Sequence, residues 1–576
     1  MDLPESHPLI RAKRRAGRVK RYLKRKWWER NIGKEYRAWL ADSADRPPGS
    51  VDNEIPISVI VPVFNPPPVF LRECLASVVQ QSARNWQLVV SDDGSTDREV
   101  VSVLEDFATE HAADPRVMVI RGDNGGISAA QNRALKHVAC DYFGWLDHDD
   151  QLNPRAVELM SAAIIESTEH PQVVYSDEDK IDAKSEHFEL YCKPDFSPEL
   201  LLTQMYLCHF TVFSTDLVRA HGGFRSEADG AQDFDLALRI LPELSNVTHV
   251  PHPLYHWRAW SGSTALTIDA KPWAQQAAER VQQAHLDRRG GGSVRASKVP
   301  GLNEVRPKVQ GDPLVSVVIP TIGTPNARGN SRFVDEAVRT LRASETGTRL
   351  EILVVSTGEI ERVEGADHQV VYRPEGAFNF AAAINLGRTH ASGDYLLLLN
   401  DDTTADFPDP VQALLEIGQQ PGVGAVGAKL TYPDGRLQHA GIVLLPSGPT
   451  HAHIAKAANF PGYFGSTLTP RNYSAVTAAA MLTPIEAFDS VEGFDETFAR
   501  DFNDVDFCLR LAQAGYRVAW TPYAHLTHHE GASIVRKAAH PGELAEFQRR
   551  WGAIYAVDPF YSPALNPHLE RIYEAL

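Results

Sequence analysis

The chain contains no run of about 18 consecutive apolar residues, so nothing in it is expected to cross a bilayer as a helix. Its five cysteines (Cys74, Cys140, Cys192, Cys208 and Cys508) make no CxxC pair and no regular framework. That excludes a zinc ribbon and a disulfide-stapled secreted fold, and it fits a reducing compartment. No apolar stretch follows the basic N-terminal region, so no secretory signal is expected. Also missing is a Gly-rich basic phosphate loop near the first apolar strand, where VPVFNPPP stands (61–68). What is present is an ordinary globular composition, 43% hydrophobic and 23% charged, which excludes wholesale disorder. A chain of 576 residues exceeds one hydrophobic core, so two domains plus extensions are expected.

The net charge of −17 conceals an asymmetry, because RAKRRAGRVKRYLKRKWWER (11–30) is densely basic and carries Tyr22, Trp27 and Trp28. A basic segment with interfacial aromatics suits an anionic membrane surface. A solvated tail or a protein partner is the alternative; nucleic acid is not expected, since no recognition fold or stacking platform accompanies the patch. The expected location is cytoplasmic, at the inner face of the membrane.

The chain repeats itself. SVIVP (58–62), SDDGSTD (91–97), LDHDD (146–150), AQDFDLALR (231–239) and YHWR (255–258) recur as SVVIP (316–320), LLLLNDD (396–402), FNDVDFCLR (502–510) and LTHHE (526–530). In each half an aspartate after a strand precedes a second aspartate, which precedes a histidine by nearly equal steps: Asp149, Asp233, His256 and Asp402, Asp504, His528. Packing explains repeated apolar strands but not acids and histidines at matched spacing, so two chemical sites are expected. Short β-branched runs (57–64, 86–94, 116–122) alternate with helical patterns (69–81, 127–139), and 315–321, 350–356, 380–391 and 394–402 repeat the order. This predicts two tandem, mostly parallel three-layer α/β/α units with ligands at the carboxyl ends of the strands. The expected boundaries are a basic extension at 1–50, a first unit at 51–286, a Gly/Pro-rich linker at 287–313, a second unit at 314–535 and a helical tail at 536–576.

Asp147, Asp149 and Asp150 crowd one turn, where carboxylates raise one another's pKa unless a cation lies among them; Mg²⁺ or Mn²⁺ suits such oxygens. Asp92 and Asp93 end a strand beside Gly94 and can accept hydrogen bonds from a nucleoside, or can equally cap a turn. Asp233 opens an amphipathic helix, where a carboxylate is expected to stay ionised as a general base requires.

These residues, in this order, resemble the family-2 glycosyltransferases of the GT-A fold, and the tandem arrangement resembles bacterial polysaccharide and O-antigen enzymes of the rhamnosyltransferase-like kind. The resemblance spans most of 56–530 and also rests on NGGISAAQN (124–132), YSDEDK (175–180), FNFAAAINLG (378–387) and VGAVGAKLTYPDGRLQHAG (423–441). It implies a metal-dependent, inverting transferase that uses UDP-, dTDP- or GDP-sugars and a growing or lipid-linked glycan as acceptor. By resemblance, Asp233 and Asp504 are the bases, and Asp149, His256, Asp402 and His528 hold Mn²⁺ or Mg²⁺. Around the nucleotide sugar it places Pro62, Phe64, Asp92, Asp93, Asn124, Gly126, Asn132, Asp147, Asp177 and Asp179, and in the second unit Asn385, Asn400 and Asp401. There are two departures. VVSTGE (354–359) stands where the first unit has SDDGS, which puts nucleotide binding by the second unit in question, and Trp260 stands where many relatives carry a histidine. The alternatives are one active unit beside a scaffold, or a sugar nucleotidyltransferase, against which the missing phosphate loop speaks.

Overall fold

The computed structural model describes residues 55–260, 272–297, 299, 301–326, 329–344, 347–358, 360–374, 376–529, 539–554, 557–566 and 573. The basic stretch 11–30 lies outside them. No helix among the described residues is long and apolar enough to cross a membrane.

Two open mixed sheets share one topology. Edge to edge, the first runs Val117–Arg121, Trp86–Asp92, Ile57–Val63, Tyr142–Trp145, Thr211–Ser214, Val173–Asp182, Val247–Ala259, Gln151–Leu152. The second runs His368–Tyr372, Arg349–Thr357, Leu314–Thr321, Tyr395–Leu399, Ala480–Pro484, Val423–Thr431, Arg517–His528, Thr403–Thr404. The first four strands of each are parallel, and the fifth reverses direction.

All seven residues of Ile57–Val63 are buried, as a strand covered on both faces must be. Its side chains alternate between two cores. Val59 and Val61 pack with Leu71, Leu75 and Val100, whereas Ile60 joins Val89, Ala134 and Phe143 on the other face. In the second unit Val317 and Ile319 pack with Val334 and Leu341, while Val318 faces Val355 and Ile384. The parallel strands therefore end together at one edge, and both acidic turns lie there.

Segment 287–313, expected to be the linker, carries regular structure where it is described. The helix Pro272–Arg288 leads into an antiparallel hairpin of Gly292–Ala296 with Asn303–Pro307, and Arg306 forms an ion pair with Glu416 of the second unit. The Gly290–Gly292 run supplies the positive φ values of the turn into this hairpin. The two units are also joined directly. Tyr463 Oη accepts from the Cys192 amide at 2.9 Å and donates to the Leu190 carbonyl at 3.0 Å. Phe464 stacks on Tyr191 at 3.9 Å, and Arg517 reaches Glu199 at 2.7 Å.

Candidate active sites

Strand register fixes how the two sites correspond. Val63 lies beside Asp92 and Thr321 beside Ser356, so Asp92 and Asp93 match Ser356 and Thr357. Ile60 pairs with Trp145 and Val318 with Leu398, which matches Asp147 with Asn400 and Asp149 with Asp402. The same register overturns one pairing. Asp179 lies beside His256 and Thr431 beside Thr527, so His528 corresponds to Trp257 and not to His256. A one-residue offset in a strand moves a side chain to the other face. His256 accordingly lies away from the acidic turn, its Nδ1 2.6 Å from Asp179 Oδ1, while the Trp257 ring packs 4.5 Å from His209.

In the first unit the acids crowd as their spacing implies. Burial raises the Asp147 carboxyl above its ordinary range, Asp149 and Asp233 push it further, and His209 and His148 oppose them. Asp150 is pushed well up by burial and by Asp149 and Asp147, although Tyr255 Oη and the Arg258 amide both donate to it. Asp149 Oδ2 accepts from the Trp260 indole at 2.7 Å. Asp233 sits in the first turn of Gln232–Ile240 with the Phe234 amide donating to Oδ1 at 2.8 Å. Burial nonetheless raises its pKa, against the pull of the Phe234 amide, and moves it toward the range in which a base works best. His209, which the sequence reading missed, faces this group. Burial disfavours its charge, but Glu178 and Asp147 outweigh that and raise its pKa.

Several predicted ligand residues are engaged by the fold. Asn132 Nδ2 donates to the Phe224 carbonyl at 2.7 Å and its Oδ1 accepts from the Phe224 amide at 2.9 Å; Asn385 grips Phe494 identically at 2.8 and 2.9 Å. The preceding Gly223 (φ +69°) and Gly493 (φ +68°) make these close approaches, since a Cβ would lie 2.4 or 2.7 Å from the asparagine oxygen. Both asparagines thus clamp a turn, which corrects their assignment to the donor. Asp177, fully buried, accepts from the Lys193 amide and lies 2.9 Å from His249 Nε2. Asp93 accepts from the Gly125 and Gly126 amides and pairs with Arg133 at 3.2 Å, and Asn124 donates to the Asp93 carbonyl. Asp92 accepts from the Ser95 amide at 2.9 Å and pairs with Arg121 at 3.3 Å. The Pro62 carbonyl meets His148 Nδ1 at 3.2 Å, and Phe64 is 46% exposed beside it.

Among the described residues two clusters bring three metal-type ligand atoms together, and both are satisfied internally. Glu178 pairs with Lys193 and His209, each at 3.0 Å. Asp179 contacts His256 with one oxygen and His187 with the other, at 2.6 and 2.7 Å. Burial works to raise the Asp179 carboxyl, but the two histidines hold it down, from 3.8 to about 2. A depressed carboxyl stabilises the fold above its unfolded value and loses that contribution as pH falls toward its folded value. Urea midpoints measured stepwise below pH 4 are therefore expected to fall less steeply for Asp179→Asn than for wild type, and superimposable acid profiles would refute the triad's role.

The second unit holds a cavity of about 480 Å³ at the same edge, lined by Phe378, Phe380, Asn400, Asp402, Asp504 and His528 among others. Asp504 occupies the first turn of Asn503–Gln513, with Oδ1 accepting from Val505 (2.9 Å) and Oδ2 from Ala478 (3.2 Å). His528 Nδ1 is 2.8 Å from Gln438 Oε1. Nε2 lies 3.0 Å from Asp402 Oδ1 and 3.3 Å from Asn400 Nδ2. An imidazole nitrogen beside a carboxylate oxygen is a donor set that fits a divalent cation once the nitrogen is unprotonated. Asp401 lines the same cavity and accepts from the Thr321 hydroxyl at 2.6 Å.

Residues 58–222 and 316–456 each match the model of glycosyl transferase family 2. The chain belongs to that family, and the paired sheets with acids at their carboxyl edge are its two copies of the unit. It is 38% identical over 537 residues to an uncharacterized protein, y4gI, of Sinorhizobium fredii, and 33% identical over 537 residues to the O-antigen biosynthesis protein RfbC of Myxococcus xanthus. Each alignment covers 89% of this chain but only 58% and 40% of those proteins, respectively. Among solved structures, S. aureus TarS 1–349 aligns with 40% of this chain and 65% of its own at 19% identity, with a TM-score of 0.32, too low to bear on the sites.

Proposed function

We propose that both units transfer a sugar, with inversion, from a nucleotide-sugar donor to a growing polysaccharide or lipid-linked glycan. The observation that carries this reading is the recurrence of a helix-start aspartate, Asp233 and Asp504, near a strand-end acid, Asp149 and Asp402, at the carboxyl edges of two sheets with one topology. Asp233 and Asp504 would each accept the proton of an acceptor hydroxyl attacking opposite the leaving diphosphate. Mn²⁺ or Mg²⁺, held by Asp147 and Asp149 in the first unit and by Asp402 and His528 in the second, would supply stabilisation of that leaving group. Support for a cation in the first unit comes from Asp147 and the buried Asp150, whose pKa values are driven upward by burial first and then by the neighbouring carboxylates. The name of the RfbC relative supports polysaccharide synthesis as the setting.

The scaffold reading of the second unit rests on the missing acids at Ser356 and Thr357, where the first unit has Asp92 and Asp93. Its counterpart base at Asp233 is nevertheless kept as Asp504, and Arg133, the partner of Asp93, is replaced in step by Leu386, so no charge is left stranded. Assay of the full chain with UDP-, dTDP- and GDP-sugars tests the function. Transfer is expected in Mn²⁺, to vanish in EDTA and to return on metal addition; transfer that persists in EDTA would overturn the metal dependence.

A further inference from the structure

The two units differ most where a nucleobase would rest. In the first, Asp93 is clasped by the Gly125 and Gly126 amides and by Arg133, three elements that meet at the strand ends. Aligned on the paired clamps Asn132 and Asn385, the second unit has Phe378 for Gly125 and Leu386 for Arg133, and register puts Thr357 in place of Asp93. Ser356, matching Asp92, is fully buried and its hydroxyl turns back to the Gly358 carbonyl at 2.9 Å. No carboxylate is left at those two positions to read a base edge.

Apolar surface stands there instead. Phe378 and Phe380, both half-buried, line the cavity that holds Asp402, Asp504 and His528. Ile322, 42% exposed on the loop after the neighbouring strand, adds to the same wall. Tyr372 meets the Phe378 ring edge-on, centroids 6.3 Å apart at 72°, which helps to fix its orientation. An aromatic face recognises a base by stacking, which every base offers, whereas an acid selects for the hydrogen-bond donors of particular bases.

We propose that the second unit holds the base of a nucleoside diphosphate by stacking on Phe378 and Phe380, and that it therefore accepts several nucleotides where the first unit, with Asp92 and Asp93, discriminates. The inference rests on the second unit being a donor site. Within it Phe378 is a base-binding residue, and the substitution of Phe for Gly and of Leu for Arg is a replacement of one mode of recognition by another.

Calorimetric titration of the full chain carrying Asp147→Ala and Asp149→Ala, which disables the first site, with UDP, dTDP, GDP and ADP in Mn²⁺ tests this. The four dissociation constants are expected to fall within about threefold of one another, with Phe378→Ala weakening all of them by about tenfold and Phe378→Trp restoring them. Adding Asp402→Ala must abolish the residual binding, which assigns it to the second unit. Binding that Phe378→Ala leaves unchanged, or a preference of about a hundredfold for one base, would overturn the stacking inference while leaving the donor site standing. If none of the four nucleotides binds, the donor-site reading of the second unit fails and the inference fails with it.

Discussion

Asp233→Asn is expected to slow transfer by the first unit by about 10²–10⁴-fold while donor affinity stays near that of the wild type. The substitution preserves shape, and the asparagine oxygen can still accept from the Phe234 amide as Asp233 does at 2.8 Å. Only the capacity to take a proton is lost. Burial raises the pKa of Asp233, so the native group holds a proton more readily than a surface aspartate does. The pH–rate profile should consequently carry an acid limb above the ordinary aspartate range, with activity lost as pH falls and the base becomes protonated. A variant that turns over within a few-fold of the wild type would place the base elsewhere.

Asp402→Ala is expected to remove metal-dependent nucleotide binding from the second unit. His528 Nε2 would be left without the carboxylate oxygen that now lies 3.0 Å away, and one imidazole is a poor site for a hard cation. Without the cation the diphosphate charge is uncompensated in a cavity that also contains Asp504. Equilibrium titration with and without Mn²⁺ reads this directly, and affinity equal to the wild type in both conditions would exclude Asp402 from the site. The first unit is built differently, because the Trp260 indole already donates to one oxygen of Asp149. The two sites are therefore not expected to share one metal affinity.

The architecture was legible because parallel strands buried on both faces leave an unmistakable apolar run, as in ISVIVPV and LVSVVIPT, and because the run recurs. The acidic turns and helix-start aspartates were legible for the same reason: repetition separates chemistry from capping. Spacing along the chain failed where strand register decides, so His256 and His528, one position apart in register, lie on opposite faces. Asn132 and Asn385 carried a repeated motif whose cause was a turn clamp, since an asparagine that binds ligand and one that binds a Gly–Phe turn look alike in sequence. His209 was invisible because nothing local in LCHFTVF signals a charge; only folding brings Glu178 and Asp147 to it. The 292–307 hairpin was hidden by the glycines that turn the chain into it.

The central claim is that one chain carries two working transferase sites, and linkage analysis of the glycan made by Asp233→Asn and Asp504→Asn tests it most directly. Each variant is predicted to lack a different glycosidic linkage from the wild-type product. A wild-type product formed at the normal rate by the Asp504→Asn chain would contradict the claim and leave the enzyme with a single site.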